Sequence, residues 1–442
     1  MFENLSTRRV FLQKGLTLLA VAPTVPAFLD HTVMALADPL DSKRTQQDSG
    51  KDGKILVVVQ LSGGNDGLNM IVPYADDAYH RARPAIGIKP TEAIKIDNYV
   101  GLHPNMAPLK AMYDAGNMAV IQGVGYPNPN RSHFRSMDIW HSAQPERDLT
   151  TSGWLGRYFD NTCTGEDPHC GVCMGETLPL AMRGERVTPL SFERPEQYRY
   201  NGHDREHYLE LNKAKRVDAL AEVPATQPIA GAGKKIIAPK KPQIVSPDNQ
   251  LEFLTRTAMD AQMSSDQILR VTRSHQGPAQ YPGSEFGNGL RTVAAMIAGG
   301  LPTRVYYVTL GGFDTHAGER GRHDQLMTQL SQGLDAFWKD LQQQQNDQRV
   351  LVMTFSEFGR RVTQNASQGT DHGAAAPVML FGKSIKQGLL GKHPSLTDLD
   401  QGDLKYNVDF RNLYASVLEK WLETPSKPVL GQQFQTMNLF KA

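Results

Sequence analysis

Unbroken apolar runs and apolar residues at helical spacing alternate along most of this chain. Ile55-Leu56-Val57-Val58-Val59 is a continuous run rich in β-branched residues, the pattern of a strand buried on both faces. It ends in Gly63-Gly64-Asn65-Asp66-Gly67. Met106, Leu109, Met112 and Tyr113 then fall on one face of a helix, which Gly116 stops. Met118 to Ile121 is a second buried strand, running into a Pro- and Asn-rich loop from Tyr126 to Arg131. Helical patterns cover about 249–275 and 284–299. Arg304 to Leu310 is a strand that ends at Gly311-Gly312-Phe313-Asp314-Thr315-His316. Leu326, Leu330, Leu334, Phe337 and Leu341 mark the apolar face of the next helix. Val350 to Phe355 is a strand ending at Ser356-Glu357-Phe358-Gly359-Arg360, and a short strand, Pro377 to Phe381, follows Asp371-His372-Gly373. A last helix from about Phe410 carries Leu413, Val417 and Trp421. Strands buried on both faces, alternating with amphipathic helices, predict an α/β protein: three layers, α/β/α, around a mainly parallel sheet.

Two segments break the alternation. Arg8-Arg9 precede Val10-Phe11-Leu12, an apolar stretch runs from Leu16 to Leu29, and Ala35-Leu36-Ala37 matches a cleavage site. The apolar stretch holds Pro23 and Pro26 and falls short of the ~20 residues a membrane span needs. Residues 1–37 therefore read as a twin-arginine signal peptide, with Asp38 as the mature start and a periplasmic or secreted destination. Residues 38–53 are polar and read as a flexible leader. Residues 54–442 read as a single domain, interrupted at about 223–247 by a Lys/Pro-rich insertion with no apolar period. No second long apolar run predicts a membrane span after cleavage.

Lys plus Arg number 47 against 46 for Asp plus Glu, so the balance of charge offers nothing to nucleic acid or to an anionic membrane. Three cysteines, Cys163, Cys170 and Cys173, lie close together. In an oxidising compartment they predict a local disulfide, Cys163 with Cys170 or Cys173, in preference to a metal knuckle, since there is no second Cys-x-x-Cys.

Candidate chemistry collects where strands end. Asn65-Asp66, Asp314-x-His316 and Glu357 each follow a predicted strand, and Asp371-His372 lies between two more. Open α/β sheets bind ligands beyond the carboxyl ends of their strands, so these residues are expected to converge. Carboxylates with imidazoles are donors for Zn²⁺, Mn²⁺ or a similar divalent ion. Taken singly, each pair reads as ordinary loop chemistry; four such clusters beside strands and glycines do not. The nucleotide-binding glycine patterns and the Gly-x-Ser-x-Gly elbow are absent.

Leu61 to Asn69, Gly101-Leu102-His103-Pro104, Asn130-Arg131-Ser132-His133-Phe134, Gly312 to His316, Thr354 to Arg360 and Thr370 to Gly373 together resemble the DUF1501 family. That family commonly carries twin-arginine signals and is grouped with the alkaline phosphatase-like superfamily of phosphatases, sulfatases and phosphoglycerate mutases. The resemblance implies an alkaline phosphatase-like fold, one or two divalent metals and a Ser or Thr nucleophile. It maps Asp66, Asp314, His316, Glu357, Asp371 and His372 to metal binding and Ser132 to the nucleophile. Arg360 or the Asn65 amide would hold an oxygen of the transferring group. The chain departs from the superfamily pattern at Phe358, where a metal-binding His is normal, and in the narrow spacing of Asp314 and His316. One metal site is thereby weakened, rebuilt with Asp371, or lost.

The function implied is hydrolysis of a phosphate or sulfate ester on a small molecule or a polymer, by in-line attack of Ser132. Ser132 also has a plain structural reading, as the cap of the following helix. The alternative function is a non-catalytic exported protein for binding or assembly, on a degenerate hydrolase scaffold. A DUF1800 family protein, the frequent genomic companion of the family, is the partner that association suggests.

Overall fold

The computed structural model describes residues 53–163, 168–196, 265–277 and 280–441. The expected signal peptide, nearly all of the leader, and the 223–247 insertion lie outside the described residues. The chain divides into two compact units, Met1–Ala37 with Glu196–Leu269, and Asp38–Pro195 with Arg270–Ala442. The main sheet, its covering helices and the candidate site belong to the second. Of the helix expected over 249–275, residues 265–274 are described and are helical.

Among the described residues, nine strands form the main sheet: β1 (Ile55–Ser62), β2 (Met118–Gly125), β3 (Gly171–Met174), β4 (Leu190–Phe192), β5 (Val305–Gly311), β6 (Val350–Phe355), β7 (Ala376–Phe381), β8 (Gly388–Leu390) and β9 (Val408–Asp409). Their order is β8-β2-β7-β6-β1-β5-β3-β4, and β9 also pairs with β2. All neighbours run parallel except at β7, which is antiparallel to both β2 and β6. The mainly parallel α/β sheet expected from the buried runs is the one observed. The reversal at β7 left no mark in its apolar run, because a strand buried on both faces looks alike in either direction.

Five helices frame the sheet and its loops: α1 (Ala107–Asp114), α2 (His133–Ser142), α3 (Trp154–Thr162), α4 (Glu285–Ala298) and α5 (Glu319–Gln343), with α6 (Phe410–Ser416) near the end of the chain. Alternate residues of each central strand serve opposite faces. Leu56, Val58, Val305, Tyr307, Leu351 and Met353 join one core with Trp140 of α2, Trp154 of α3 and Phe410 and Tyr414 of α6. Trp140 stacks on Phe410 and Trp154 on Tyr414, with ring centroids 4.5 and 4.2 Å apart. On the other face α4 lies so close to β5 that a Cβ at Gly289 would stand 3.3 Å from Val308. α5 packs on α4 in turn, with Gly333 against the Phe286 ring. Helices therefore cover both faces, and the sheet is the middle of three layers.

Register decides where the loops emerge. Gln60 of β1 pairs with Thr309 of β5 and with Phe355 of β6, so three parallel strands end side by side. Antiparallel β7 starts at that same edge, with Ala376 opposite Val124 near the end of β2. Between β6 and β7 the chain makes a hairpin of Arg360–Gln364 and Thr370–His372. The loops after β1, β2, β5 and β6 and the approach to β7 thus share one rim.

The cysteines depart from expectation. Cys163 carries a free thiol, so the expected disulfide is not formed in either pairing. Cys173 is a strand residue of β3, buried in register between Tyr307 and Ser191, and burial pushes its thiol up to about 12. The spacing implied a loop at Cys173; the residue belongs instead to the core of the sheet.

Candidate active site

Two consecutive glycines turn the chain sharply after β1. Gly63 and Gly64 have φ of +119° and +72°, and a Cβ on Gly63 would stand 2.5 Å from the Asp314 amide nitrogen. The loops after β1 and β5 therefore meet backbone to backbone. Arg360 locks them together. This fully buried guanidinium donates from Nε to Gly64 O (2.6 Å), from Nη1 to Thr370 O (2.8 Å), and from Nη2 to Gly63 O, to Phe313 O (3.1 Å) and to Asp314 Oδ1 (2.8 Å). Its nitrogens bond to three loops, and its burial keeps the guanidinium away from the open rim. Arg360 is a scaffold for Asp314, where the sequence had placed it on the transferring group.

Asp314 is half-exposed, and imidazoles surround its Oδ1. His316 Nε2 lies 3.0 Å away, His372 Nε2 3.3 Å and His133 Nε2 3.5 Å. Among the described residues, His133, Asp314 and His372 place one donor atom each within 4.8 Å of one another. Each imidazole is oriented from behind. His133 Nδ1 lies 2.8 Å from Glu357 Oε1, and His372 Nδ1 lies 2.8 Å from the Arg131 carbonyl. A carbonyl only accepts, so His372 carries its proton on Nδ1 and turns the Nε2 lone pair toward Asp314. That lone pair accepts from His316 Nε2 at 2.9 Å, while His316 Nδ1 lies 3.6 Å from Asp371 Oδ1.

His133 Nε2 is buried and has no hydrogen-bond partner. An orphaned imidazole nitrogen aimed at a carboxylate and at a second imidazole lone pair fits a cation. Tetrahedral coordination at Zn–N lengths of about 2.0–2.1 Å separates donor atoms by about 3.3–3.4 Å. The two Asp314 contacts, at 3.3 and 3.5 Å, are of that size. Second-shell carboxylates and carbonyls on Nδ1 are the usual supports of metal-binding histidines.

Protonation agrees. Burial raises the Asp314 carboxyl, but the hydrogen bond and positive charge of Arg360 outweigh it and hold the group at about 2. Burial lowers His372, against the opposing pull of the Arg131 carbonyl and Asp314, so the ring is neutral as a ligand must be. The Asn365 side chain holds Asp371 below the usual carboxylate range.

Phe358 is the floor of the cluster. Its buried ring lies 4.9 Å from His133 and 4.7 Å from His372, centroid to centroid, and covers Gly64, where a Cβ would stand 2.3 Å from it. Glu357 is buried and fully engaged, with Gly63 N (2.9 Å), Ser356 Oγ (3.1 Å) and His133 Nδ1. It supports a ligand; the sequence had counted it as one. Asp371 likewise stands behind His316.

Ser132 is exposed and is the N-cap residue of α2, but its side chain makes no capping bond. Its neighbours in the chain are Arg131, whose carbonyl holds His372, and His133. The hydroxyl therefore has no structural task in capping.

Asn65 and Asp66 are buried elsewhere. Asp66 is ion-paired with Arg83 and accepts from Leu68 N at 3.3 Å. Asn65 spends its backbone N–H on Ser356 Oγ (2.9 Å) and its side-chain oxygen on His323 Nε2 (3.1 Å). Neither reaches the histidine cluster, because the turn at Gly63-Gly64 sends the chain inward before them. Both belong to a buried polar group with Asn69, Tyr79, Arg83, Glu319 and His323. There Glu319 is raised to about 8, first by burial and then by the Asp66 charge, whereas Asp66 is held at about 2 because Arg83 overcomes its burial. The two carboxyls share one proton.

The cluster thus contains Asp314, His316 and His372 of the expected residues, with Glu357, Asp371 and Arg360 supporting them; Ser132 is the residue before His133 in the chain. His133 went unassigned in the sequence, although it stands in the Asn130–Phe134 motif directly after Ser132. Glu319 and His323 carried no sequence signal, being polar residues in the opening turns of a helix whose apolar pattern begins only at Leu326.

No curated protein matches the chain by sequence. Among solved structures it is similar to Ps i-CgsB in complex with k-i-k-neocarrahexaose, at 12% identity and a TM-score of 0.33, over 86% of this chain and 73% of that one. It is similar to a protein in the alkaline phosphatase superfamily from Vibrio parahaemolyticus, at 8% identity and 0.36, over 91% and 76%. It is also similar to the phosphonate monoester hydrolase SpPMH from Silicibacter pomeroyi, at 9% identity and 0.31, over 87% and 78%. The DUF1501 profile, described as a protein of unknown function, matches residues 103–437, most of the sequence, and the chain belongs to the DUF1501 family.

Proposed function

We propose that this protein is an exported, metal-dependent hydrolase of phosphate or sulfate esters. The observation that carries the reading is the convergence of His133 Nε2, His372 Nε2 and Asp314 Oδ1, each oriented from behind, on an accessible rim of the sheet. These three residues would hold one divalent ion, Zn²⁺ or Mn²⁺ by the chemistry of the donors, and leave positions open for a substrate. When bound, the ion supplies positive charge to an oxygen of the ester and lowers the pKa of a nearby hydroxyl.

The residues of the chain do the rest. Ser132, at the N-terminus of α2, presents the hydroxyl that loses its proton to solvent and attacks phosphorus or sulfur as the ester oxygen leaves with its electron pair. His316 is the outermost imidazole, half-exposed and backed by Asp371, and it moves a proton at Nε2 to the leaving alcohol. Water then cleaves the serine ester and restores Ser132. Phe358 and Arg360 exclude water beneath the cluster and keep Asp314 ionised.

The test is metal analysis of the full chain with a panel of phosphate and sulfate monoesters. Expected are about one ion per chain and turnover that disappears in Ser132→Ala with the metal retained. Asp314→Asn and His372→Ala should lose both metal and turnover. His316→Ala should retain metal and lose turnover of esters with poor leaving groups first. A chain without metal and without turnover overturns the reading.

A second reading is favoured by one observation. Asn65, Asp66, Glu357 and Arg360, the residues expected at an additional metal and at the transferring group, are buried and satisfied by the protein itself. In that reading the protein binds or assembles without catalysis, with a DUF1800 family protein as partner. Co-purification of such a partner with a chain inert toward every ester would favour it.

A further inference from the structure

Asp314 and His316 are about half-exposed, so packing does not fix their side chains. The residue between them, Thr315, is buried, and so is Thr370, two residues before His372. Both threonine hydroxyls donate to the same atom. Glu319 Oε2 accepts from Thr315 Oγ1 at 3.1 Å and from Thr370 Oγ1 at 2.5 Å. Glu319 is fully buried at the start of α5, and its other oxygen faces Asn69 Nδ2 at 3.5 Å and Asp66, which Arg83 holds. Three backbone bonds also join the two loops, Thr370 N to Thr315 O at 3.2 Å, Gly318 N to Ser367 O at 3.0 Å and Glu319 N to Gln368 O at 2.9 Å, and of these the first lies between the two gripped threonines.

We propose that Glu319 is a positioning residue for the metal cluster: by gripping Thr315 and Thr370 with one oxygen, it sets the separation of Asp314 from His372. The Asp66–Arg83 pair anchors the grip from beneath. This is the task that Asp66 performs in place of ligation. The inference rests on the proposal that His133, Asp314 and His372 hold a metal.

A neutral carboxyl and a carboxamide have the same shape here. In each, a carbonyl oxygen accepts from both threonines, and an O–H or N–H donates to Asp66. Glu319→Gln should therefore preserve the grip, whereas Glu319→Met removes it at similar volume. Thr315→Val together with Thr370→Val removes both donors and leaves Glu319, Asp66 and Arg83 in place, so this pair serves if the methionine variant does not fold. The measurements are Zn²⁺ titration of the metal-depleted full chain and the visible spectrum of its Co²⁺ form. Loss of outer-shell support costs about 10–100-fold in metal affinity. The double valine and methionine variants should show a loss of that size and an altered Co²⁺ spectrum, and the glutamine variant should show neither. Wild-type affinity and spectrum in the double valine variant would overturn the inference while leaving the metal reading intact. Failure of the wild-type chain to bind Zn²⁺ or Co²⁺ would overturn both.

Discussion

Phe358 stands where the motif pattern leads one to look for an imidazole, and its ring lies under two others. The substitution changes what the position does. At that position the chain has an apolar floor, and His133, from the start of α2, stands beside Asp314 and His372. Glu319 shows a second conversion, of a helix-opening acid into a buried neutral group. Its folded pKa of about 8 lies above the 4.5 ordinary for Glu, so the folded state holds an extra proton between those values. The resulting stability is fully present below about pH 4.5 and is lost as pH rises through about 8, at no more than about 1.4 kcal/mol per pH unit. Asp66 works in another window, because a carboxyl held at about 2 contributes stability above its unfolded value and loses it as pH falls toward 2. The buried His141 and His323, pushed down to about 3 by burial, oppose Glu319 below pH 6.5 by favouring the folded state as they lose protons in the unfolded chain. Comparison with Glu319→Gln cancels them. Urea midpoints from pH 5 to pH 8.5 should show wild type losing ground steadily to the glutamine variant. A constant difference would mean that Glu319 is not protonated in the fold.

At the scale of elements, the cluster depends on a turn, a helix start and a hairpin that touch through backbone. Gly64, in that turn, has φ of +72°, and the Phe358 ring lies where its Cβ would stand. Gly64→Ala should cost about 1–3 kcal/mol from the left-handed backbone alone. It should also weaken Zn²⁺ binding, because the ring it displaces supports His133 and His372. Gly321 is the control: it lies in α5 with open space where a Cβ would go, so Gly321→Ala should stabilise by about 0.5–1 kcal/mol. Urea denaturation and metal titration of the two variants measure both effects. Equal behaviour would dissociate the turn from the cluster.

For the whole molecule, the proposed route of export bears on the metal. A pathway that carries folded proteins lets the ion be chosen before the protein leaves the cytoplasm. Arg8→Lys with Arg9→Lys should leave the full-length chain in the cytoplasm, uncleaved, as read by fractionation and the mass of the chain. Normal export of that variant would remove the twin-arginine assignment. Among the described residues no helix is long and apolar enough to cross a membrane.

The sequence by itself determined the sheet. Strands buried on both faces must be apolar throughout, so β1, β2, β5, β6 and β7 announced themselves, as did the rim where their loops collect. It also determined Asp314, His316 and His372 as members of one cluster, because each stands a few residues from a strand end. Only the tertiary structure decided which polar residues face that rim and which turn inward. Asn65 and Asp66 follow a strand as Asp314 does, yet two left-handed glycines send them into the core, where Arg83, seventeen positions further on, meets Asp66. Glu357 and Arg360 sit in the same motif as each other, yet both are spent on the backbone and imidazoles of other loops. His133 and Glu319 gained their places through partners 224 and 51 positions away, Glu357 and Thr370. Local pattern records the period and polarity of an element; it carries no record of which distant group will satisfy a buried charge.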